Sequence, residues 1–168
     1  MGKVLSVFTN GYPGSISRAV DDIVISIRNV GSAPIPFGAP VFMNSAGTGV
    51  TGFDTATPQA FAAFVGFAVR VADKTPDTYP GGPFDPAPAG AWQPGDVAEV
   101  LVRGAMAVTL SGGSKLGAQV YVRKSDGALT TTAGAEGTTL ELTNVKVRHP
   151  RDNASGCAEI LLTARNIQ

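Results

Sequence analysis

The sequence predicts an all-β fold: an antiparallel β-barrel or sandwich, with a jelly roll among the forms it can take, long Pro/Gly-rich loops and an extended N-terminal arm. Apolar residues alternate with other residues in almost every apolar run, which is the period of a β-strand. These runs recur roughly every 8–15 residues, with turn-forming residues between them, as in barrels and sandwiches. Only residues 57–63, with Pro58 at the first position, are compatible with a helical turn.

Residues 1–18 are predicted to form a short strand and then an extended arm, because residues 9–18 are rich in Gly, Pro and small polar side chains. A strand follows at residues 23–27, with one wholly β-branched face. The proline-rich residues 33–40 cannot form a central strand, because each proline lacks a backbone donor. We therefore place them at an edge, before a short strand at residues 41–43.

The centre of the predicted fold is a meander of strands at residues 64–72, 97–110 and 118–123. The second run is longer than the usual ~5–6-residue strand and is interrupted by Gly104. We expect a bend or bulge at Gly104 that lets one strand serve two parts of a curved sheet. Residues 111–114 and 125–127 supply the turns that follow, since Asp-Gly accepts the positive φ of a tight hairpin.

The C-terminal part is predicted to hold a mobile Thr/Gly/Ala-rich hairpin region at residues 130–139, two strands at residues 140–142 and 145–147, and a closing strand at residues 158–165. Both faces of the closing strand are largely apolar, so we expect it to be central. About nine strands result, in a single β domain spanning residues 1–168, with the 73–96 loop inserted between core strands.

The amino-acid composition limits the classes of partner that this protein is expected to bind. The 168 residues suffice for one core without disulfides, and the single cysteine, Cys157, is predicted to be buried. Thirteen basic and thirteen acidic residues balance, so we expect a protein partner and neither nucleic acid nor membrane. The first residues lack the apolar region of an export signal, and no run approaches the ~20 apolar residues of a membrane span.

The sequence motifs that could indicate a catalytic, cofactor-binding or metal-binding site are weak. Residues 47–52 read G-x-G-x-x-G, but Pro58 prevents the helix that a dinucleotide site requires, so we predict a glycine-rich hairpin. His149, the only histidine, is expected in an exposed turn, and the acidic residues of the 73–96 loop are too scattered for a calcium loop. We therefore predict no catalytic residue, no cofactor and no metal, and hence no enzyme.

The 73–96 loop is unusual for a compact domain: 24 residues with six of the twelve prolines. It carries Tyr79, Phe84 and Trp92, the only tryptophan. Aromatic residues on such a loop can anchor back onto their own barrel or fill a pocket of a partner. The sequence leaves both alternatives open.

The order and spacing of several short motifs over roughly residues 11–165 resemble the structural cement proteins of tailed-bacteriophage heads. The motifs are GYPGSISR at 11–18, IPFGAPV at 35–41, FVGFAVR at 64–70, PGD at 94–96 leading into VLVRG at 100–104, and GAQVYV at 117–122. This resemblance implies a non-enzymatic, β-rich virion protein made in the host bacterial cytoplasm. It further implies attachment, as a homodimer or homotrimer, to the outside of the major capsid protein shell.

The predicted capsid or subunit contacts lie on the arm and the two proline-rich segments: Tyr12, Pro13, Arg18, Pro36, Phe37, Tyr79, Phe84 and Trp92. A second hypothesis is a carbohydrate- or host-binding β module of a phage tail or fibre. In that case Tyr79, Phe84 and Trp92 would form a stacking platform for sugars.

Overall fold

The computed structural model describes residues 11–71, 90–150 and 156–164. These residues form eleven strands and one 3₁₀ turn, Phe61–Ala63. The strands are β1 (Ile16–Arg28), β2 (Ile35–Pro36), β3 (Pro40–Met43), β4 (Val50–Gly52), β5 (Phe64–Ala68), β6 (Ala91–Trp92), β7 (Val97–Thr109), β8 (Gln119–Arg123), β9 (Leu129–Thr130), β10 (Thr139–His149) and β11 (Cys157–Leu162). All named strand pairs are antiparallel, so the all-β prediction is confirmed.

Nine strands form one sheet in the order β4-β3-β5-β7-β11-β10-β8-β9, with β1 added on β7, and β2 and β6 form a separate pair. Strand β7 pairs with three other strands of this sheet. It pairs with β1 from Val97 to Met106, with β5 at Val100 and Leu101, and with β11 from Gly104 onward. Gly104 takes a φ of 126° at the point where the neighbour changes from β5 to β11. The predicted irregularity at Gly104 therefore lets one strand serve two parts of the sheet.

The sheet curls around two apolar clusters. The first cluster lies inside β1, β3, β4, β5 and the N-terminal half of β7 and includes Trp92 and Val100. The second lies between β5, the C-terminal half of β7, β8, β10 and β11. Isolated bridges join Asn29 to Val50 and Ser111 to Thr130. The start of β4 therefore lies beside the end of β1, and β9 lies beside the end of β7.

Several predicted boundaries were wrong. Strand β1 begins at Ile16, inside the predicted arm, because β7 extends past Gly104 and offers it a partner. Residues 139–149 form one strand rather than two, and a register shift between Leu142 and Lys146 absorbs the break in alternation. Of residues 33–40, predicted at an edge, β2 lies in the separate two-stranded pair, while Pro40 begins β3, which lies between β4 and β5. The helical turn starts at Phe61, three residues after Pro58.

Other predictions are confirmed. Strand β11 is central, between β7 and β10, and Cys157 in it is buried. The G-x-G-x-x-G run lies in the hairpin that joins β3 to β4, and His149 is exposed, although it ends β10 rather than lying in a turn. The region at residues 130–139, predicted to be a mobile hairpin, runs from the end of β9 to the start of β10, and residues 131–138 form turns closed by hydrogen bonds such as that from Thr138 Oγ1 to Ala135 O at 2.6 Å; its mobility stays a prediction.

Candidate interaction surface

The short pair of β2 and β6 ties the two proline-rich segments together. Ile35 lies opposite Trp92, and Pro36 lies opposite Ala91. The Trp92 side chain is only 5% exposed, and its Nε1–H donates a hydrogen bond to the Val69 carbonyl oxygen at 3.0 Å. Its ring meets the edge of the buried Phe37 ring at a centroid distance of 6.2 Å. Of the two alternatives for this aromatic residue, Trp92 anchors back onto its own barrel.

Asn29 is fully buried and joins the start of the first proline-rich segment to Trp92 in the second. Its Nδ2 donates to the Trp92 carbonyl oxygen at 3.1 Å and to the Ala33 carbonyl oxygen at 3.2 Å, while its Oδ1 accepts from Gly31 N–H at 3.0 Å. A buried amide with all these bonds made fixes the backbone around it. The sequence analysis missed Asn29, whose only signal is a polar residue at the end of a β-branched run.

The N-terminal segment 12–15 crosses over Phe37 and the end of β5. Gly14 N–H donates to the Ala107 carbonyl oxygen at 2.9 Å, and Arg70 N–H donates to the Gly14 carbonyl oxygen at 2.8 Å. A β-carbon on Gly14 would lie 2.8 Å from the Phe37 β-carbon and 2.9 Å from the Gly38 nitrogen. Only glycine permits this approach, so the arm is fixed in place from this point on.

Arg70 links the arm to the aromatic pair. Its guanidinium carbon lies 5.4 Å from the centroid of the Tyr12 ring and 5.5 Å from that of the Phe37 ring. Tyr12 itself is 49% exposed. Each cation–π contact of this kind contributes about 0.5–1 kcal/mol at an exposed site. Arg70 was not predicted, because nothing in its strand context distinguishes it from a solvated arginine.

The 33–40 segment forms a ridge between two open grooves, and we call it the proline ridge. One groove has a volume of about 430 Å³ and is bordered by Pro13 and Arg70. The other has a volume of about 680 Å³ and is bordered by Pro34 and Asp126. Pro36 lines both grooves. Ala33, Pro34 and Pro36 are exposed on the ridge.

Comparison with protein families decides what kind of protein carries this surface. A family model described as "Structural cement protein (E217 gp24/Pam3 gp6)" matches residues 4–163. The chain belongs to the phage structural cement protein family. It is therefore a structural component of the bacteriophage virion, associated with the capsid. The resemblance predicted from the sequence motifs is confirmed.

A solved structure shares the fold. A chain of "The capsid of Myoviridae Phage XM1" is 20% identical, with a TM-score of 0.67, and the match covers 95% of this chain and 94% of that one. No curated protein matches this chain.

The predicted contact residues of the cement protein separate into four groups. Tyr12, Pro13 and Pro36 lie on the surface described above, and Phe37 and Trp92 lie buried beneath it. Arg18 is a residue of β1, opposite Ala105. The last two, Tyr79 and Phe84, fall outside the residues that the structure describes. A sugar-stacking platform requires an exposed ring face, and the buried Trp92 does not offer one.

One charged pair marks the far rim of the larger groove. Arg123 Nε donates to Asp126 Oδ1 at 2.8 Å, and Ala128 N–H donates to the same oxygen at 3.1 Å. The hydrogen bond from Arg123, and then that from Ala128 N–H, hold the pKa of Asp126 below its usual value of 3.8. Asp126 in turn raises the pKa of Arg123. The rim therefore carries an ionised pair at neutral pH.

Within residues 11–71, 90–150 and 156–164, no group of three or more His, Cys, Asp or Glu side chains could hold a metal ion. No helix in the same ranges is long and apolar enough to cross a membrane.

Proposed function

We propose that this cement protein binds the outside of the assembled major capsid protein shell as a homodimer or homotrimer and stabilises the head. Family membership supports the capsid association. The observation that carries the finer proposal is the proline ridge, which lies between two grooves and exposes Ala33, Pro34 and Pro36.

The proline ridge suits recognition because it is fixed before binding. Asn29 holds its start, and Trp92 and Phe37 pack beneath its middle. A segment that is already ordered loses little conformational entropy when a partner docks, so more of the contact energy appears as affinity. Grooves on both sides can receive side chains from two adjacent capsid subunits, which suits a surface formed where subunits meet.

The chemistry of the contact is predicted to be apolar. Residues 33–40 contain no charged side chain, and the protein as a whole has zero net charge. Binding through this ridge should therefore depend weakly on salt, since screening acts on charged pairs. Strongly salt-dependent binding would indicate that charged groups outside residues 33–40, such as Arg70 or Asp126 at the groove borders, carry the contact.

The test is co-sedimentation of the purified protein with undecorated, expanded heads. Wild-type protein is expected in the pellet at a saturating stoichiometry. Pro34→Glu, which places a charge on top of the ridge, is expected to reduce binding at least tenfold. The matched control is Leu116→Glu, since Leu116 is 74% exposed and lies outside both grooves.

Two outcomes count against the proposal. Wild-type protein that stays in the supernatant would remove the capsid-binding role itself. Equal binding by folded Pro34→Glu and Leu116→Glu would leave that role and reject the proline ridge as the contact.

A further inference from the structure

Strand β1 has one edge that no described strand pairs with. Its partner β7 occupies the other edge from Ile16 to Arg28. On the open side, the first neighbour among the described residues is Val50, which bridges Asn29. The open edge therefore runs along the strand up to the β3–β4 hairpin.

The hydrogen bonds of Asn29 show in which direction the backbone N–H and C=O groups of β1 point. Its N–H donates to Asp96 O and its C=O accepts from Gly95 N–H, both at 2.8 Å and both on the β7 side. Because these groups alternate along a strand, those of Val24 and Ser26 point to the open edge. Gly49 packs against the carbonyl oxygen of Arg28, which sets the end of this edge.

The open edge is apolar and only partly protected. Ile23 is 44% exposed and Val24 is 38% exposed, while Ile25 and Ile27 stay half-buried although they pack on the first apolar cluster. Natural edges are protected by bulges, prolines or charges. Register shifts interrupt β1 up to Val24, but from Val24 to Arg28 it pairs with β7 in five consecutive steps.

The charges of this strand complement each other when two copies run antiparallel. The exposed Asp21 precedes the apolar run and the exposed Arg28 ends it, whereas Asp22 turns toward β7, where its Oδ1 accepts from Ala105 N–H. An antiparallel pair about a two-fold axis at Ile25 brings the acidic end of each copy beside the basic end of the other. A parallel pair would place like charges side by side, which is destabilising.

We propose that β1 of one copy pairs antiparallel with β1 of a second copy, centred on Ile25, and joins the two sheets into one. Val24 lies opposite Ser26 of the second copy and exchanges both backbone hydrogen bonds with it, and Ile23 lies opposite Ile27. This inference rests on the self-association in the proposed function and assigns it a surface. It also covers the half-buried isoleucines of both copies.

The first test compares Ser26→Pro with Ser26→Ala. The N–H of Ser26 faces the open edge, so proline removes no internal hydrogen bond, but it prevents pairing with another strand. Light scattering at micromolar concentration is expected to give a dimer for wild type and Ser26→Ala and a monomer for Ser26→Pro. Matching circular dichroism spectra verify the fold. A monomeric wild type, or a Ser26→Pro dimer with native spectrum, overturns the pairing.

The second test fixes the register with cysteines. In the proposed pair Ile25 faces itself, at the ~4.5 Å Cα separation of a non-hydrogen-bonded pair, within reach of a disulfide. Under mild oxidation Ile25→Cys is expected to form cross-linked dimers at least fivefold faster than Ser26→Cys. Native Cys157 is buried and serves as the background in wild type. Equal rates overturn the register.

Head binding, measured in parallel, separates this inference from the capsid role. A monomeric wild type that co-sediments with heads refutes the edge pairing and leaves the capsid role standing. A dimer cross-linked through Ile25→Cys that stays in the supernatant supports the pairing and refutes the capsid role.

Discussion

Replacing Gly104 with alanine tests the strand that organises the whole sheet. The residue has a φ of 126°, and a β-carbon there would overlap Asp22 Oδ1 from the neighbouring strand β1. Asp22 Oδ1 also accepts a hydrogen bond from Ala105 N–H at 3.3 Å. The substitution therefore combines backbone strain with displacement of a partly buried carboxylate.

The magnitude follows from these two terms. A non-glycine residue held in a sparsely populated backbone region costs about 1–3 kcal/mol. Losing the Ala105 hydrogen bond costs about 0.5–1.5 kcal/mol. Gly104→Ala should thus lower the free energy of unfolding by about 1.5–4.5 kcal/mol, before any cost of moving β1.

Gly112→Ala is the matched control. Gly112 also has a positive φ, 85°, but nothing lies within 4 Å of a β-carbon built there. Gly112→Ala therefore reports the cost of a non-glycine residue at a positive φ alone, about 1–3 kcal/mol. Urea denaturation of both variants measures the difference. Equal destabilisation of the two would refute the argument that Gly104 is required by the close approach of β1.

Three further outcomes are expected. Trp92→Ala should lower the free energy of unfolding, measured by urea denaturation, by about 3–5 kcal/mol, because the ring is buried. The folded fraction of this variant should still bind heads. A variant that keeps full stability but loses binding would contradict this. Asn29→Ala should remove the hydrogen bonds to the Trp92 and Ala33 carbonyl oxygens and cost about 1–3 kcal/mol, mainly through the buried bond to Trp92, and a melting curve like that of wild type would argue against it. The carboxylate of Asp126 should stabilise the fold above its unfolded pKa of 3.8, and this stability should be lost as the pH falls through its lower folded pKa. Chemical denaturation at several pH values should show that the difference in unfolding free energy between wild type and Asp126→Asn shrinks in acid. A difference that stays constant with pH would contradict this.

Strong local patterns made the core of the fold predictable. Alternation in β7 and the apolar faces of β11 give their type and their central position, because both signals lie within one stretch of chain. Gly104 was identifiable because a glycine inside a long strand often marks a bulge or a bend. The glycine-rich run at residues 47–52 was predictable as a hairpin because the proline that follows it prevents a helix.

The surface was less predictable, because its geometry depends on residues far apart in the chain. The approach of Gly14 to Gly38, the position of Arg70 over Tyr12 and the bonds of Asn29 to Trp92 all join distant segments. No periodicity encodes such contacts. For Trp92, composition placed an aromatic residue on a loop, but only the fold decides whether its ring is buried.

The most direct test of the central claim is a density map of heads decorated with this protein. The account predicts density for the chain on the outer surface of the shell, with Pro34 and Pro36 of the proline ridge facing the place where capsid subunits meet. Density inside the shell, density only on the tail, or bound protein whose ridge faces solvent would contradict it.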